Sequence, residues 1–291
     1  MKKIVIRANA KINLSLIITG VMQDGYHDLD TIMCPIELYD TITVTRRQDN
    51  IITCRGIDIS DDENIAVRAA RLLMSEFKTT GVDIEIDKRI PISGGLGGSS
   101  ADAAGVMFAF SHLFYIDFDK IKFLARQLGS DLPFLLQVAT GAMRARGRGD
   151  ILTEEELMPI DIVLAKPLNG VDTKEAYRIY DTLKKQGSKG DNVALINAIR
   201  NGDDICEYLI NDLYKPACML NSKIAPLFKL MKESNNSCAI MSGSGSSVIA
   251  ICSDSEKALE IFNKIPDKYY KVITKTCMTG VKIVEEIVPI N

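Results

Sequence analysis

Four glycines in five positions, Gly94, Gly95, Gly97 and Gly98, fall in the run Pro91-Ile-Ser-Gly-Gly-Leu-Gly-Gly-Ser-Ser100. No other stretch restricts the possible folds of this chain as much. A loop without Cβ atoms reaches backbone conformations closed to other residues and lets a ligand approach its main-chain N–H groups. Before it, Val82 to Ile86 alternates apolar and polar residues, as a strand does. After it, from about Ala101 to Phe114, small and apolar residues read as a helix. Strand, loop and helix in this order aim the helix's free N–H groups and positive dipole end at the loop, which suits phosphate. Ser99 and Ser100 add hydroxyls able to bond phosphate or hold Mg²⁺. The structural alternative is a turn joining a strand to a tightly packed helix, and composition alone leaves both readings open.

Other phosphate motifs do not fit. A P-loop carries Lys after its last Gly, whereas Ser99 follows Gly98. A dinucleotide fingerprint follows the opening strand of a βαβ unit, and this loop comes after several strands. The His-Arg-Asp and Asp-Phe-Gly elements of protein kinases are missing. A second loop, Met241-Ser-Gly-Ser-Gly-Ser-Ser247, lies between two short apolar runs. Alone it reads either as a hairpin turn or as a cover over a nucleotide.

The rest of the chain narrows the class. Its 291 residues suggest one large domain or two of ordinary size. Lys and Arg number 35 against 38 Asp and Glu, a net charge of −3, which argues against a nucleic-acid partner. Two His, His27 and His112, exclude a His-rich metal site, and His112 sits in an apolar helical stretch as a structural residue. Seven scattered Cys without a Cys-x-x-Cys read as reduced thiols in a cytoplasmic protein. No signal peptide is visible, and no apolar run approaches the ~20 residues of a membrane span.

Lys3 to Thr19 alternates, with an expected break near Ala8-Asn9-Ala10, and Asp24-Gly25 marks a turn. Asn64 is a good N-cap for a helix with Ile65, Ala69, Leu72, Leu73 and Phe77 at helical spacing. The acidic run Thr153-Glu-Glu-Glu156 marks a seam, so the expected domains are 1–155 and 156–291.

Three blocks in order resemble the GHMP small-molecule kinases: the Lys segment Ala10-Lys-Ile-Asn-Leu14, the Pro91 to Ser100 loop and the late Gly-Ser loop. Asp24-Gly-Tyr-His27, Asp61-Asp-Glu-Asn64, Leu128-Gly-Ser-Asp-Leu-Pro-Phe134 and Gly147-Arg-Gly149 extend the resemblance through nearly the whole chain. The resemblance implies two α+β domains with the active site in the cleft between them. It implies ATP-dependent phosphorylation of a methylerythritol hydroxyl on a CDP-linked substrate of isoprenoid synthesis, with Mg²⁺ bridging phosphates. ATP and that small molecule would be the partners, with neither nucleic acid nor membrane.

The resemblance also assigns residues. Lys11 and Asp131 would be the catalytic pair, Asp131 taking the proton of the attacking hydroxyl and Lys11 stabilising charge. Pro91, Gly94, Gly95, Leu96, Gly97, Gly98, Ser99 and Ser100 would hold the phosphates, and Asn64 the adenine side of ATP. Asn13, Tyr26, His27 and Thr173 would hold the substrate, the two rings gripping cytosine. The structural alternatives are a surface Lys at a strand start and an N-cap Asp before Pro133. Ser99 stands where a third Gly is common in the family, Ala101 replaces a common Ser and Asp172 another. Ser99 narrows the room for phosphate. A homoserine or mevalonate type of kinase is disfavoured by Asp24-Gly-Tyr-His27. A catalytically silent nucleotide sensor is disfavoured by Lys11 and Asp131, which binding alone does not need.

Overall fold

The computed structural model describes residues 2–137, 141–183, 190–234 and 238–287. Two long strands, β1 (Lys3–Val21) and β2 (His27–Arg46), form an antiparallel ribbon that turns at Asp24-Gly25, where Gly25 takes a φ of +85°. The expected break near Asn9 is absent: β1 runs on without interruption, and only its register with β2 shifts, the extra residues lying on β2. Asn9 pairs with Tyr39 but Lys11 already pairs with Pro35. Such a bulge re-aims the side chains beyond it.

One half of β2 carries β4 (Val82–Asp87), with β3 (Ile52–Arg55) parallel to β4. The other half pairs with β5 (Ala142–Gly147), which hairpins into β6 (Ile151–Glu155). A second sheet has the order β10 (Tyr270–Lys275), β7 (Asp161–Lys166), β9 (Val248–Cys252), β8 (Cys238–Met241). The chain thus passes from one sheet to the other just after Glu155. It then returns: β11 (Val281–Ile287) pairs antiparallel with β1 from Lys3 to Ala8.

Nine helices are described. They are α1 (Ile65–Phe77), α2 (Gly98–Leu113), α3 (Phe118–Ala125), α4 (Leu132–Leu135), α5 (Thr173–Thr182), α6 (Asn192–Asn201), α7 (Tyr214–Leu220), α8 (Ile224–Glu233) and α9 (Ser255–Lys264). Helix α2 is apolar all round and buried on nearly every side, as a helix through the middle of a core must be. Its small residues bring it close to the ribbon: a Cβ on Gly105 would lie 3.0 Å from Ile42 Cδ1. One core joins β1, β2, β4, α1, α2 and α4, and a second lies between the second sheet and α5, α7, α8 and α9.

The reading of all seven Cys as thiols needs correction. Cys206 and Cys238 form a disulfide with Cα atoms 4.9 Å apart, and the other five are free. The pairing depends on a tertiary approach across 32 residues that spacing does not reveal. No helix among the described residues is long and apolar enough to cross a membrane.

Candidate active site

The two glycine loops meet. Ser247 N donates to Gly94 O at 3.1 Å, and the Ser242 hydroxyl donates to Gly95 O at 3.0 Å. The same hydroxyl accepts the Asn13 N–H at 3.2 Å, which joins both loops to β1. Gly97, at φ +68°, is the N-cap of α2. The first N–H groups of a helix have no partner within it, so the first turn of α2 presents free donors beside Gly97. A Cβ on Gly97 would lie 3.1 Å from Lys11 Cγ and 3.5 Å from Asp131 Oδ2. The tip of the loop therefore rests on the expected catalytic pair.

Lys11 follows this register shift, and its N–H donates to Leu96 O at 2.9 Å. Lys11 is buried, and its ammonium donates to Asn13 Oδ1 at 2.8 Å and stands 3.5 Å from Asp131 Oδ2. Asn13, two residues along the strand on the same face, is fixed in turn by donating to the Thr31 hydroxyl at 2.7 Å. Asp131 stands at the N-cap of α4, yet its side chain makes no capping bond, so the carboxylate is turned to Lys11 instead. A surface Lys and a capping Asp are both ruled out by these positions.

These groups line a cleft of about 410 Å³, within the range of small-molecule sites. Its walls carry Lys11, Asn13, Pro91, Gly94 to Ser100, Asp131 and Thr173 from the expected set. Thr173 opens α5 and shares a 2.7 Å hydrogen bond with Ser244 of the second loop. Three expected residues are not in the walls. Asn64 is buried, and its Oδ1 accepts the Ala66 N–H at 3.0 Å to cap α1. Tyr26 is exposed, with the Arg148 guanidinium 3.9 Å from its ring centroid. His27 stacks on Tyr177 at 4.7 Å and lies 2.8 Å from Asp181 Oδ1 through its Nε2. Both rings touch the cleft through a neighbour, since Arg148 and Tyr177 line it.

Sequence reasoning missed Tyr177, Arg148 and Lys88, which also face the cleft. Tyr177 follows Thr173 by four residues on α5, a spacing that shares a helix face and was there to be read. Burial, and then the charge of Asp131, holds its phenol well above the ordinary value, so it stays protonated. Lys88 lies 2.6 Å from both Asp40 Oδ2 and Asp102 Oδ2, two carboxylates with almost no exposure. Burial pushes the Asp102 carboxyl up to about 7 against the opposing charge of Lys88. Asp40 also accepts the N–H groups of Arg89 and Ile90, which fixes the entry to the first loop.

Chemically, the cleft combines a carboxylate able to take a proton, an adjacent ammonium and a helix N-terminus behind a glycine loop. Residues 64–137 match the GHMP kinases N terminal domain and residues 189–271 match the GHMP kinases C terminal domain. A 4-diphosphocytidyl-2-C-methyl-D-erythritol kinase of Desulfitobacterium hafniense is 39% identical, over 94% of this chain and 96% of that one. The chain belongs to the GHMP kinases, in the family of that relative. The namesake from Alkaliphilus metalliredigens is 36% identical over 92% of this chain and 94% of its own. A crystal structure of 4-(cytidine 5'-diphospho)-2C-methyl-D-erythritol kinase superposes with a TM-score of 0.79 at 29% identity, covering 93% of this chain and 98% of the other. A homoserine kinase from Cytophaga hutchinsonii shares the fold, with a TM-score of 0.74 at 17% identity over 97% of each chain. This GHMP kinase is thus an ATP-dependent small-molecule kinase of α+β architecture.

Proposed function

We propose that the kinase transfers the γ-phosphoryl group of ATP to the 2-hydroxyl of 4-diphosphocytidyl-2-C-methyl-D-erythritol. Relatives at 39% and 36% identity over almost their whole length support this substrate. The observation that carries the chemistry is the Lys11–Asp131 pair, 3.5 Å apart beneath Gly97. In this reading Asp131 accepts the hydroxyl proton as the oxygen attacks phosphorus and the bond to the ADP oxygen breaks. Lys11 and the first turn of α2 offset charge on the transferring group. Asn13 and Thr173 position the acceptor, Tyr26 and His27 receive the base, and Asn64 stands on the adenine side.

The donors in the cleft walls suit a hard cation. Ser99, Ser100 and Asp131 offer hydroxyl and carboxylate oxygens, with no His or Cys among the lining residues. These oxygens would hold Mg²⁺, which would supply charge neutralisation to the phosphates. A cytoplasmic setting accords with the five free Cys, while the single disulfide stands against it.

A coupled ADP-release assay tests the reading with the CDP-linked alcohol, its UDP-linked analogue, free methylerythritol phosphate, homoserine and mevalonate. Turnover with the first alone is expected. Equal use of the CDP and UDP compounds removes the cytidine assignment, and preference for homoserine or mevalonate removes the substrate altogether.

A further inference from the structure

Three cations face the cleft among its described lining residues: Lys11, Lys88 and Arg148. They differ in how firmly each is held. Lys11 is buried and engaged with Asn13 and Asp131. Lys88 is locked between two buried carboxyl groups, and drawing it away would leave Asp40 without its counter-ion. Arg148 pairs with Asp24, and both side chains are about two-fifths exposed. An exposed ion pair contributes little, because water solvates each partner once they separate. Arg148 is therefore the cleft cation that can exchange its partner for a ligand at small cost.

Its position fits one kind of ligand. Arg148 sits in the tight turn between β5 and β6, flanked by Gly147 at φ +68° and Gly149 at φ +98°. A Cβ on Gly149 would lie 3.9 Å from Ser130 Cβ, so the turn packs beside the segment that carries Asp131. On its other side the guanidinium lies over the Tyr26 ring at 3.9 Å. The turn that carries Arg148 thus lies between Ser130, next to Asp131, and Tyr26, on the assignment of Asp131 to the reacting alcohol and Tyr26 to the base. In a CDP-linked alcohol the group between those ends is a diphosphate. The planar fork of an Arg matches phosphate oxygens two at a time, which a Lys cannot do.

We infer that Arg148 is a specificity-determining residue that binds the diphosphate of the substrate, releasing Asp24 while staying stacked on Tyr26. This inference rests on the proposed substrate. It adds that recognition of the base and of the diphosphate are coupled through one guanidinium. A nucleoside without phosphates leaves Arg148 on Asp24, and a nucleoside diphosphate draws it off.

Calorimetric titration of the full chain with cytidine, CMP and CDP tests this in the wild type and in Arg148→Met, Arg148→Lys and Asp24→Asn. The wild type is expected to bind CDP well above cytidine. Arg148→Met should weaken CDP by roughly 10- to 100-fold, the range of a charge-assisted hydrogen bond, and cytidine by less than threefold. Arg148→Lys should recover part of the CDP affinity. Asp24→Asn, which frees the guanidinium, should leave CDP bound as tightly or more tightly. Equal losses for CDP and cytidine in Arg148→Met would mean that the residue acts only by propping Tyr26, and would overturn the inference. So would unchanged CDP binding in that variant. A wild type that binds none of the three cytidine ligands overturns the substrate reading and this inference together. Intact wild-type CDP binding with an unaffected variant overturns this inference alone.

Discussion

The Cβ that Gly95 lacks would lie 2.2 Å from the carbonyl oxygen of Ser242, and 3.0 Å from the backbone of Gly245. The second glycine loop occupies the space that a side chain at position 95 would need. Gly95→Ala must push the two loops apart from a backbone already at φ +72°. Overpacking of this kind costs about 1–3 kcal/mol. Urea unfolding should show that loss, and the KM for ATP should rise because the loop above Lys11 is displaced. A variant with wild-type stability and KM would mean that the loops do not act as one piece.

Asp131→Asn keeps the shape of the side chain and removes the proton acceptor. The expected fall in kcat is on the order of 10²-fold or more, with ATP still bound in a calorimetric titration. Near-normal turnover by the folded variant rules out Asp131 as the base.

Lys88→Met removes the cation between Asp40 and Asp102 and leaves two buried carboxylates facing each other. Removing one partner from a buried ion pair costs roughly 3–5 kcal/mol. A urea midpoint unchanged from the wild type would show that the pair is relieved by another route. Lys88→Met with Asp102→Asn should recover part of the loss, since Asp40 then faces a neutral amide in place of a second carboxyl group.

Asp30 and Arg144 form a two-pronged pair across β2 and β5, at 2.8 and 2.6 Å. Burial acts to raise the Asp30 carboxyl, but hydrogen bonds from Arg144 and Asn192 outweigh it and hold the carboxyl below its usual 3.8. A depressed carboxyl stabilises the fold above the unfolded value and loses that contribution as pH falls through the folded one. Asp30→Asn should therefore be less stable at neutral pH, by about 1–3 kcal/mol for a hydrogen-bonded charge. The gap to wild type should start to shrink as pH falls below ~4 and go on shrinking through the lower folded value. Stability curves at pH 7 and pH 3 decide it, and a constant gap sinks the assignment.

The Cys206–Cys238 disulfide ties the turn before Asn211 to the start of β8. A cross-link over this separation stabilises by about 3–4 kcal/mol in the chain-entropy view. Adding a thiol reductant should lower the melting temperature of the wild type and leave a Cys206→Ser, Cys238→Ser variant unmoved. An unchanged wild type means the bridge contributes nothing under those conditions.

Much of the fold is visible in local pattern because it is locally caused. The alternation of Val82 to Ile86 becomes β4, and Asn64 caps α1 through its own side chain. The head of α2 is harder to place. The helix starts at Gly98, inside the glycine run, where left-handed Gly97 hides the boundary from any propensity. Lys11 and Asp131 are legible through the motifs around them. Lys88 is not, because its meaning comes from strand pairing: β2 brings Asp40 to β4, and α2 brings Asp102. Arg148 and Tyr177 depend in the same way on which turn and which helix close the cleft. In sequence the glycines of the first loop read as room for phosphate, and the space at Gly97 is bounded by Lys11 and Asp131. Gly94 and Gly95 have a second cause in the loop that packs on them, which no local window contains.

The pairing of β11 with β1 bears on how the chain comes off the ribosome. Residues 3–8 are made long before residues 281–287, and until then one side of that strand has no partner. Until then the nascent sheet shows an open edge of alternating Ile4, Ile6 and Ala8, the kind of template that other strands pair with. Contacts this remote in sequence also close slowly. During synthesis, the period of greatest exposure to misassembly thus lasts until residues 281–287 have been made, and a chaperone or a second nascent chain would meet the protein at Lys3–Ala8.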